Sequence, residues 1–235
     1  MRRAFLALAA GLTLSGCIVL SSKAPLIAHS DADTGIMPGT FLSYPGFTPS
    51  QAKQLAPADR AKCVDSPYRV PALDPMGQPV TERGPLVYCP FDTNEKHAPS
   101  KSFTLTGTAD GFVARTSGEK QDLKMRVQRL NEAFLITQLD MSAIKAQMGA
   151  TESDIGGFVY VLFRPHGGDL ELHIVPCDSG MPLGDAKEGA PKTLPLPPPH
   201  LKCEVKSLAA IRPDLLAYAV SPDAAPMVLL RRTGD

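Results

Sequence analysis

The sequence of 235 residues predicts a mainly β (α+β) domain, an antiparallel meander forming a small barrel or sandwich with a few short helices and long proline-rich loops. Alternating segments begin near positions 103, 112, 123, 134, 158 and 170, mostly at the spacing of about 8–12 residues typical of all-β folds. Apolar residues make up 43% of the chain, which is enough for a core. The 23 prolines and 19 glycines disfavour a bundle of long helices.

The charge balance argues against one class of partner. The chain carries 24 Lys+Arg and 24 Asp+Glu, for a formal net charge of zero. Nucleic-acid-binding domains normally show a basic excess or a basic stripe. We therefore expect no nucleic acid partner.

The N-terminus carries a targeting pattern. Arg2 and Arg3 precede an uncharged apolar run over 4–14. Its eleven residues fall short of the ~20 that cross a bilayer as a helix, and they match the apolar region of a secretory signal peptide. The run ends in Leu14-Ser15-Gly16-Cys17, which resembles the lipobox of bacterial lipoproteins at all four positions.

This resemblance implies cleavage before Cys17, diacylglycerol on its sulfur, and a fatty acyl chain such as palmitate on the new amine. Two or more acyl chains hold a protein firmly on a membrane. Ile18 stands where an Asp would retain such a lipoprotein at the inner membrane, so the resemblance favours the outer membrane. The alternative is an ordinary signal peptide followed by a chance cysteine. The expected organisation is a signal peptide (1–16), a lipidated N-terminus and tether (17–40), and one β-rich domain (41–235).

Four further cysteines, at 63, 89, 177 and 203, predict disulfides, because an exported chain enters an oxidising compartment. Four cysteines allow three pairings. We favour Cys63–Cys89 and Cys177–Cys203, because each closes a short, proline-bearing segment. A zinc site is disfavoured, since its cysteines usually come in close pairs.

Local signals place the elements in order. Thr48-Pro49-Ser50-Gln51 has the pattern of a capping box and predicts a helix start. Residues 63–100 are loop-like, with a short strand over 86–88. Asp110-Gly111 predicts a hairpin turn, and a second turn is predicted over 165–169.

The C-terminal half contains weaker helical signals. Met141, Ile144 and Met148 form a stripe that predicts a short helix. Residues 178–202 form a long loop with a proline run, either a stiff connection or a docking segment for an aromatic groove. A short helix around 207–211 is expected to end before Pro213, and a strand over 227–230 to close the sheet into a barrel.

Candidate site residues cluster on one strand and its neighbours. Glu171 and His173 share one face of the strand, with His166 or Asp169 nearby, since side chains alternate along a strand. They form either a His–carboxylate pair in a pocket or the solvated polar face of a half-buried strand. Ser179 lies in Cys-Asp-Ser-Gly-Met-Pro, which is similar to the nucleophile motif of trypsin-like serine proteases but differs from it at two positions. No catalytic residue, cofactor or metal is assigned, and the expectation leans away from an enzyme.

The sequence thus predicts an outer-membrane-anchored periplasmic lipoprotein, a non-catalytic module for envelope structure or for binding an envelope protein. One alternative is a carrier of a lipid or apolar small molecule in a lipocalin-like barrel. The other is an envelope hydrolase. The expected core positions, some of which would line a cavity in the carrier, are Phe103, Leu105, Phe134, Ile136, Val159, Val161 and Phe163.

Overall fold

The computed structural model describes residues 19–32, 35–70, 82, 84–91, 98–119, 121–142, 157–177, 201–221 and 224–233. The strands are β1 (Ser21–Ser22), β2 (Gly39–Phe47), β3 (Val64–Arg69), β4 (Pro85–Tyr88), β5 (Ser102–Thr108), β6 (Gly111–Thr116), β7 (Asp122–Arg129), β8 (Leu135–Asp140), β9 (Phe158–His166), β10 (Asp169–His173) and β11 (Val228–Arg232). The helices are α1 (Pro49–Lys53), α2 (Pro57–Arg60) and α3 (Leu208–Ala219), with a 3-10 turn over His29–Asp31.

Eight strands close into an antiparallel barrel, which is one of the two architectures that the sequence predicts. Consecutive strands from β5 to β11 pair with one another, and β2 pairs with both β5 and β11. The predicted final strand therefore does close the sheet, through pairs such as Val228 with Pro45. Its partner β2 is not among the strands that the sequence predicts.

Successive connections alternate between the two ends of the barrel, because consecutive strands are antiparallel; the β5–β6, β7–β8 and β9–β10 turns share one end. The Asp-Gly signal correctly predicts the β5–β6 hairpin, but the two turn residues are Ala109 and Asp110. Gly111 opens β6 with a φ of 128°, and a Cβ there would lie 2.4 Å from the carbonyl oxygen of Met125. The β9–β10 turn consists of two glycines, both with positive φ, as a tight hairpin turn requires.

The barrel interior is an apolar core. Side chains alternate inward along each strand, as on β8, where Leu135, Thr137 and Leu139 are buried. The buried apolar side chains of this barrel core are Val19, Ile36, Phe41, Leu105, Phe112, Ala114, Leu123, Met125, Val127, Leu135, Leu139, Met141, Val159, Val161, Phe163, Leu170, Leu172, Val228 and Leu230. Phe134 and Ile136, also predicted as core, instead face a second core outside the barrel.

The second core forms where α3 and the N-terminal segment pack on the outer face of β8 and β9. Leu215 and Tyr218 of α3 are buried there with Leu162. The prediction that the helix ends before Pro213 is wrong, because α3 continues through it to Ala219. A proline inside a helix loses one backbone hydrogen bond. Burial of the side chains beyond Pro213 offsets that loss.

A smaller unit beside the barrel contains α1, α2, β3 and β4. Its core includes Phe47, Ala52 and Phe91. The predicted capping box is present at the start of α1, with Thr48 and Gln51 hydrogen-bonded reciprocally. The predicted strand over 86–88 is confirmed as β4, whereas β3 is missed.

Two predicted segments fall largely outside the described residues. These are the helix expected from Met141 onward, of which Met141 itself is buried in the barrel core, and the proline-rich loop. Across the part of the chain that the structure describes, no helix combines the length and apolarity needed to span a membrane.

Candidate functional site

The chain contacts the barrel from Val19, two residues after the predicted lipidation site. Cys17 itself lies outside the described residues. The side chains of Val19 and Leu20 are 6% and 0% exposed. Tyr160 N–H donates to the Leu20 carbonyl (2.9 Å), and Ser21 N–H donates to the Cys203 carbonyl (2.8 Å). A stretch predicted as part of a tether is thus an additional strand beside β9.

A buried polar network attaches the next residues of this segment to the barrel. The Gln138 side-chain oxygen accepts hydrogen bonds from the backbone N–H groups of Leu26 (2.7 Å) and Ile27 (2.9 Å). It also accepts from the Tyr160 hydroxyl at 3.2 Å, which lies 2.8 Å from the Ser22 hydroxyl. Burial raises the pKa of Tyr160, and its hydrogen bonds with Ser22 and Leu26 offset this only in part.

Both predicted disulfides are present. They join Cys63 to Cys89 and Cys177 to Cys203, each across a sequence separation of 26. The second disulfide lies beside β1, because Pro176 pairs with Val19 and the residues next to Cys203 pair with β1. It therefore links the two segments that flank the start of the described chain.

Glu171 and His173 form the centre of a polar cluster on the outer face of β10. The Glu171 Oε2 atom lies 3.4 Å from His173 Nε2 and accepts a hydrogen bond from the Tyr68 hydroxyl (2.9 Å). Arg164 Nη1 donates to the Tyr68 hydroxyl (2.9 Å) and lies 3.5 Å from the same carboxylate oxygen. His173 Nδ1 lies 3.0 Å from the Ala224 carbonyl, which can only accept.

Burial and charge act in opposite directions on this cluster. Burial raises the pKa of Glu171, but its hydrogen bonds with His173 and Tyr68 and its electrostatic interactions with His173 and Arg164 outweigh this effect, so the pKa lies below its ordinary value. Burial and the neighbouring Glu171 carboxylate raise the pKa of Tyr68. The carboxylate is therefore held ionised and the phenol neutral.

The cluster connects β3, β9 and β10 and is largely covered. His173 is 1% exposed, so the pair is not the solvated strand face that was one expectation. The ring of His173 also contacts Phe134 edge-on at 5.5 Å. The two ring nitrogens of His173 contact the Ala224 carbonyl and the Glu171 carboxylate. Among the described residues, no group of three or more His, Cys, Asp or Glu could hold a metal ion.

The candidate residues His166 and Asp169 have other partners than this cluster. His166 is exposed at the end of β9, where it is the cross-strand partner of Asp169. Asp169 accepts a hydrogen bond from Arg232 N–H (2.8 Å) and forms an ion pair with Arg231 (3.5 Å). Ser179 lies outside the described residues.

Arg164 and Tyr68 are the cluster members that sequence reasoning missed. Arg164 was detectable, because a two-glycine turn sets a register in which it directly faces Glu171. Tyr68 was not, since its contact with Glu171 spans 103 residues along the chain.

Two further features bear on ligand binding. A cleft of about 120 Å³ lies between α3 and the β7–β8 hairpin, lined by Ile136, Leu208 and Arg212 among others. This is smaller than the ~300–1,000 Å³ of typical small-molecule sites. Inside the barrel, the Thr137 hydroxyl is buried without a hydrogen-bond partner among the described residues.

Comparison with protein-family models, with curated proteins and with solved structures finds no match to this chain.

Proposed function

We propose that the protein is a lipid-anchored envelope lipoprotein of the outer membrane, whose disulfide-braced barrel is a non-catalytic module for envelope structure or for binding an envelope protein. The single observation that carries the proposal is the lipobox Leu14-Ser15-Gly16-Cys17, placed directly after a basic and then an apolar segment. The domain is proposed to face the periplasm, with acyl chains on Cys17 in the membrane.

The disulfides support an exported location. Such bonds form and persist in the periplasm and other oxidising compartments, and they are rare in the cytosol. Both join cysteines that are inside or next to packed cores, including Cys89 and Cys177, which are 0% exposed. A chain that folds around two internal disulfides suits the compartment that the lipobox implies.

The non-catalytic role is supported by how the polar cluster is arranged. The side chains of Glu171, His173, Tyr68 and Arg164 are partners of one another, and they join β3, β9 and β10. Hydrogen-bonded buried groups of this kind specify one packing arrangement. The cluster therefore acts as a brace between the barrel and the small unit beside it.

A carrier of a lipid or apolar small molecule is the second candidate, and the closed eight-stranded barrel favours it. The filled interior opposes it, since side chains such as Phe41, Leu105 and Phe163 are at most 4% exposed and pack as one cluster. Native mass spectrometry of protein purified from its membrane tests this candidate. A co-purifying lipid that detergent exchange does not remove would favour the carrier.

The lipid anchor is tested by growing cells that express the full chain with an alkyne-tagged fatty acid. We expect the purified protein to carry the tag and to start at Cys17 by mass spectrometry. The Cys17→Ala variant is expected to lose the tag. As a matched control, Ser15→Ala keeps a small residue in the lipobox and should retain it. An untagged wild-type protein, or a tagged Cys17→Ala variant, would refute the anchor.

A hydrolase remains as the contrasting class, with Ser179 as its proposed nucleophile. Its test is a comparison of Ser179→Ala with wild type in cells that lack the native gene. Full complementation by Ser179→Ala is the result we expect. Loss of complementation by a variant that still folds and reaches the membrane would favour the hydrolase.

A further inference from the structure

The first described residues leave almost no spacer between the proposed lipid and the barrel. Only Ile18 separates Cys17 from Val19. Two peptide units span at most about 7 Å. If acyl chains on Cys17 lie in the membrane, the barrel wall beside Val19 is held within roughly that distance of the headgroups.

Detaching β1 from the barrel would lengthen the spacer, but it would be energetically unfavourable. Three backbone hydrogen bonds of 2.8–2.9 Å connect Leu20 and Ser21 to Tyr160, Cys203 and Val205. Peeling β1 away would break these bonds and expose the apolar side chains of the segment. The Cys177–Cys203 disulfide also fixes the residues on the other side of β1.

Among the described residues, the exposed charges next to β1 are mostly positive. Lys23 follows β1 directly, and Lys202 and Lys206 flank the residues whose backbone pairs with Ser21. All three lysines are exposed, and Glu204 is the acidic residue between the last two. We call the exposed side chains of Lys23, Lys202, Glu204 and Lys206 the anchor-root surface.

We propose that the barrel lies directly on the bilayer, with the anchor-root surface against anionic phospholipid headgroups. This proposal rests on the lipid anchor proposed above. Lys202 lies beside the start of β1, and Lys23 and Lys206 lie beside its end. With β1 lying along the bilayer, all three are within the distance of about 8 Å over which surface charges interact at physiological salt. In this orientation β9 and β1 face the bilayer, and β5, four strands away in either direction round the barrel, lies on the opposite side.

The test measures how fast each lysine is acylated by a membrane-impermeant amine reagent. The lipidated full chain is placed in vesicles of phosphatidylethanolamine and phosphatidylglycerol at a ratio of about 3:1. The comparison protein carries about twelve Gly/Ser residues inserted between Ile18 and Val19, so it stays anchored while its barrel is released. Both proteins carry Thr106→Lys, which supplies a reporter lysine at an exposed position of β5, on the opposite side of the barrel from β9.

We expect Lys23, Lys202 and Lys206 to react at least about threefold more slowly in the protein without the Gly/Ser insertion than in the protein that carries it. The reporter lysine should react at the same rate in both. Equal rates for the three lysines in two lipidated, vesicle-bound proteins would overturn this proposal and leave the lipid anchor intact. A chain that carries no lipid by intact mass would overturn the anchor and this proposal together.

A second arm identifies the headgroup chemistry. In vesicles of phosphatidylcholine alone, protection of Lys23 is expected to fall. In anionic vesicles, the double variant Lys202→Gln/Lys206→Gln is expected to lose the same amount of Lys23 protection. The Lys62→Gln variant, which changes a residue outside the anchor-root surface, should keep that protection. Protection that is identical in both vesicle types would overturn the assignment to anionic headgroups.

Discussion

Removing the Gln138 side-chain oxygen should undock the N-terminal segment from the barrel. In Gln138→Leu, the backbone N–H of Ile27 loses its acceptor, the Gln138 side-chain oxygen. The N–H of Leu26 keeps a second acceptor, the Tyr160 hydroxyl at 3.2 Å. Ile27 is 0% exposed, so its amide would stay buried without a partner. A buried unsatisfied amide costs about 1–3 kcal/mol, and the lost bond from Leu26 adds about 0.5–1.5 kcal/mol. The Tyr160 hydroxyl also loses Gln138 but keeps the Ser22 hydroxyl at 2.8 Å. We therefore expect a loss of about 1.5–4.5 kcal/mol.

Hydrogen exchange of the purified protein measures this loss at the amides themselves. The expected change corresponds to exchange that is about 12- to 1,600-fold faster at residues 26 and 27. Gln128→Leu is the matched control, because Gln128 is half-buried on β7 and should change stability by no more than about 0.5 kcal/mol. Exchange at residues 26 and 27 that matches wild type in Gln138→Leu would refute the reasoning.

Three further predictions concern stability in urea. Thr137→Val should stabilise the protein by about 1–3 kcal/mol, because it removes a buried hydroxyl without a partner. The control Thr106→Val, at an exposed position, should not stabilise it. A destabilised Thr137→Val variant would mean that the hydroxyl has a partner. Replacing Cys177 and Cys203 by serine should cost about 3.5 kcal/mol, the chain-entropy value for a separation of 26, and an unchanged midpoint would contradict this. Because the folded-state pKa of Glu171 lies below its ordinary value of 4.5, its ionised form stabilises the protein above that pH, and this contribution is lost as pH falls through the folded-state pKa. Glu171→Gln should therefore be less stable than wild type at pH 7 and approach it under acid conditions; a constant difference at all pH values would contradict the pairing.

Much of the barrel was predictable because its strands carry their own signals. Alternating apolar residues and turn glycines are local, so the strands from β5 to β10 begin within one residue of the predicted positions. The disulfide pairing was also predicted, since each pair closes a segment of the same modest length. Where local preference conflicts with packing, as at Pro213 in α3, sequence reasoning gave the wrong helix end.

The candidate site was only partly predictable. Placing Glu171 and His173 on one face requires no more than the two-residue period of a strand. Their burial depends on Tyr68 and Ala224, which reach them from distant parts of the chain. The strand residues that alternate with core residues are polar both where water covers that face and where another part of the protein covers it. The sequence pattern therefore does not distinguish the two cases.

By itself, the sequence predicted the meander from β5 to β10, favoured the disulfide pairing that is present, and carries at Leu14-Ser15-Gly16-Cys17 a pattern that resembles a lipobox, because each of these depends on residues close together or on simple counting. Only the tertiary structure decided that β2 closes the barrel, that His173 is buried, and that Val19 belongs to the barrel wall. These outcomes follow from contacts between segments far apart in the chain, where the burial of apolar surface and the pairing of backbone groups in the whole fold outweigh local preference.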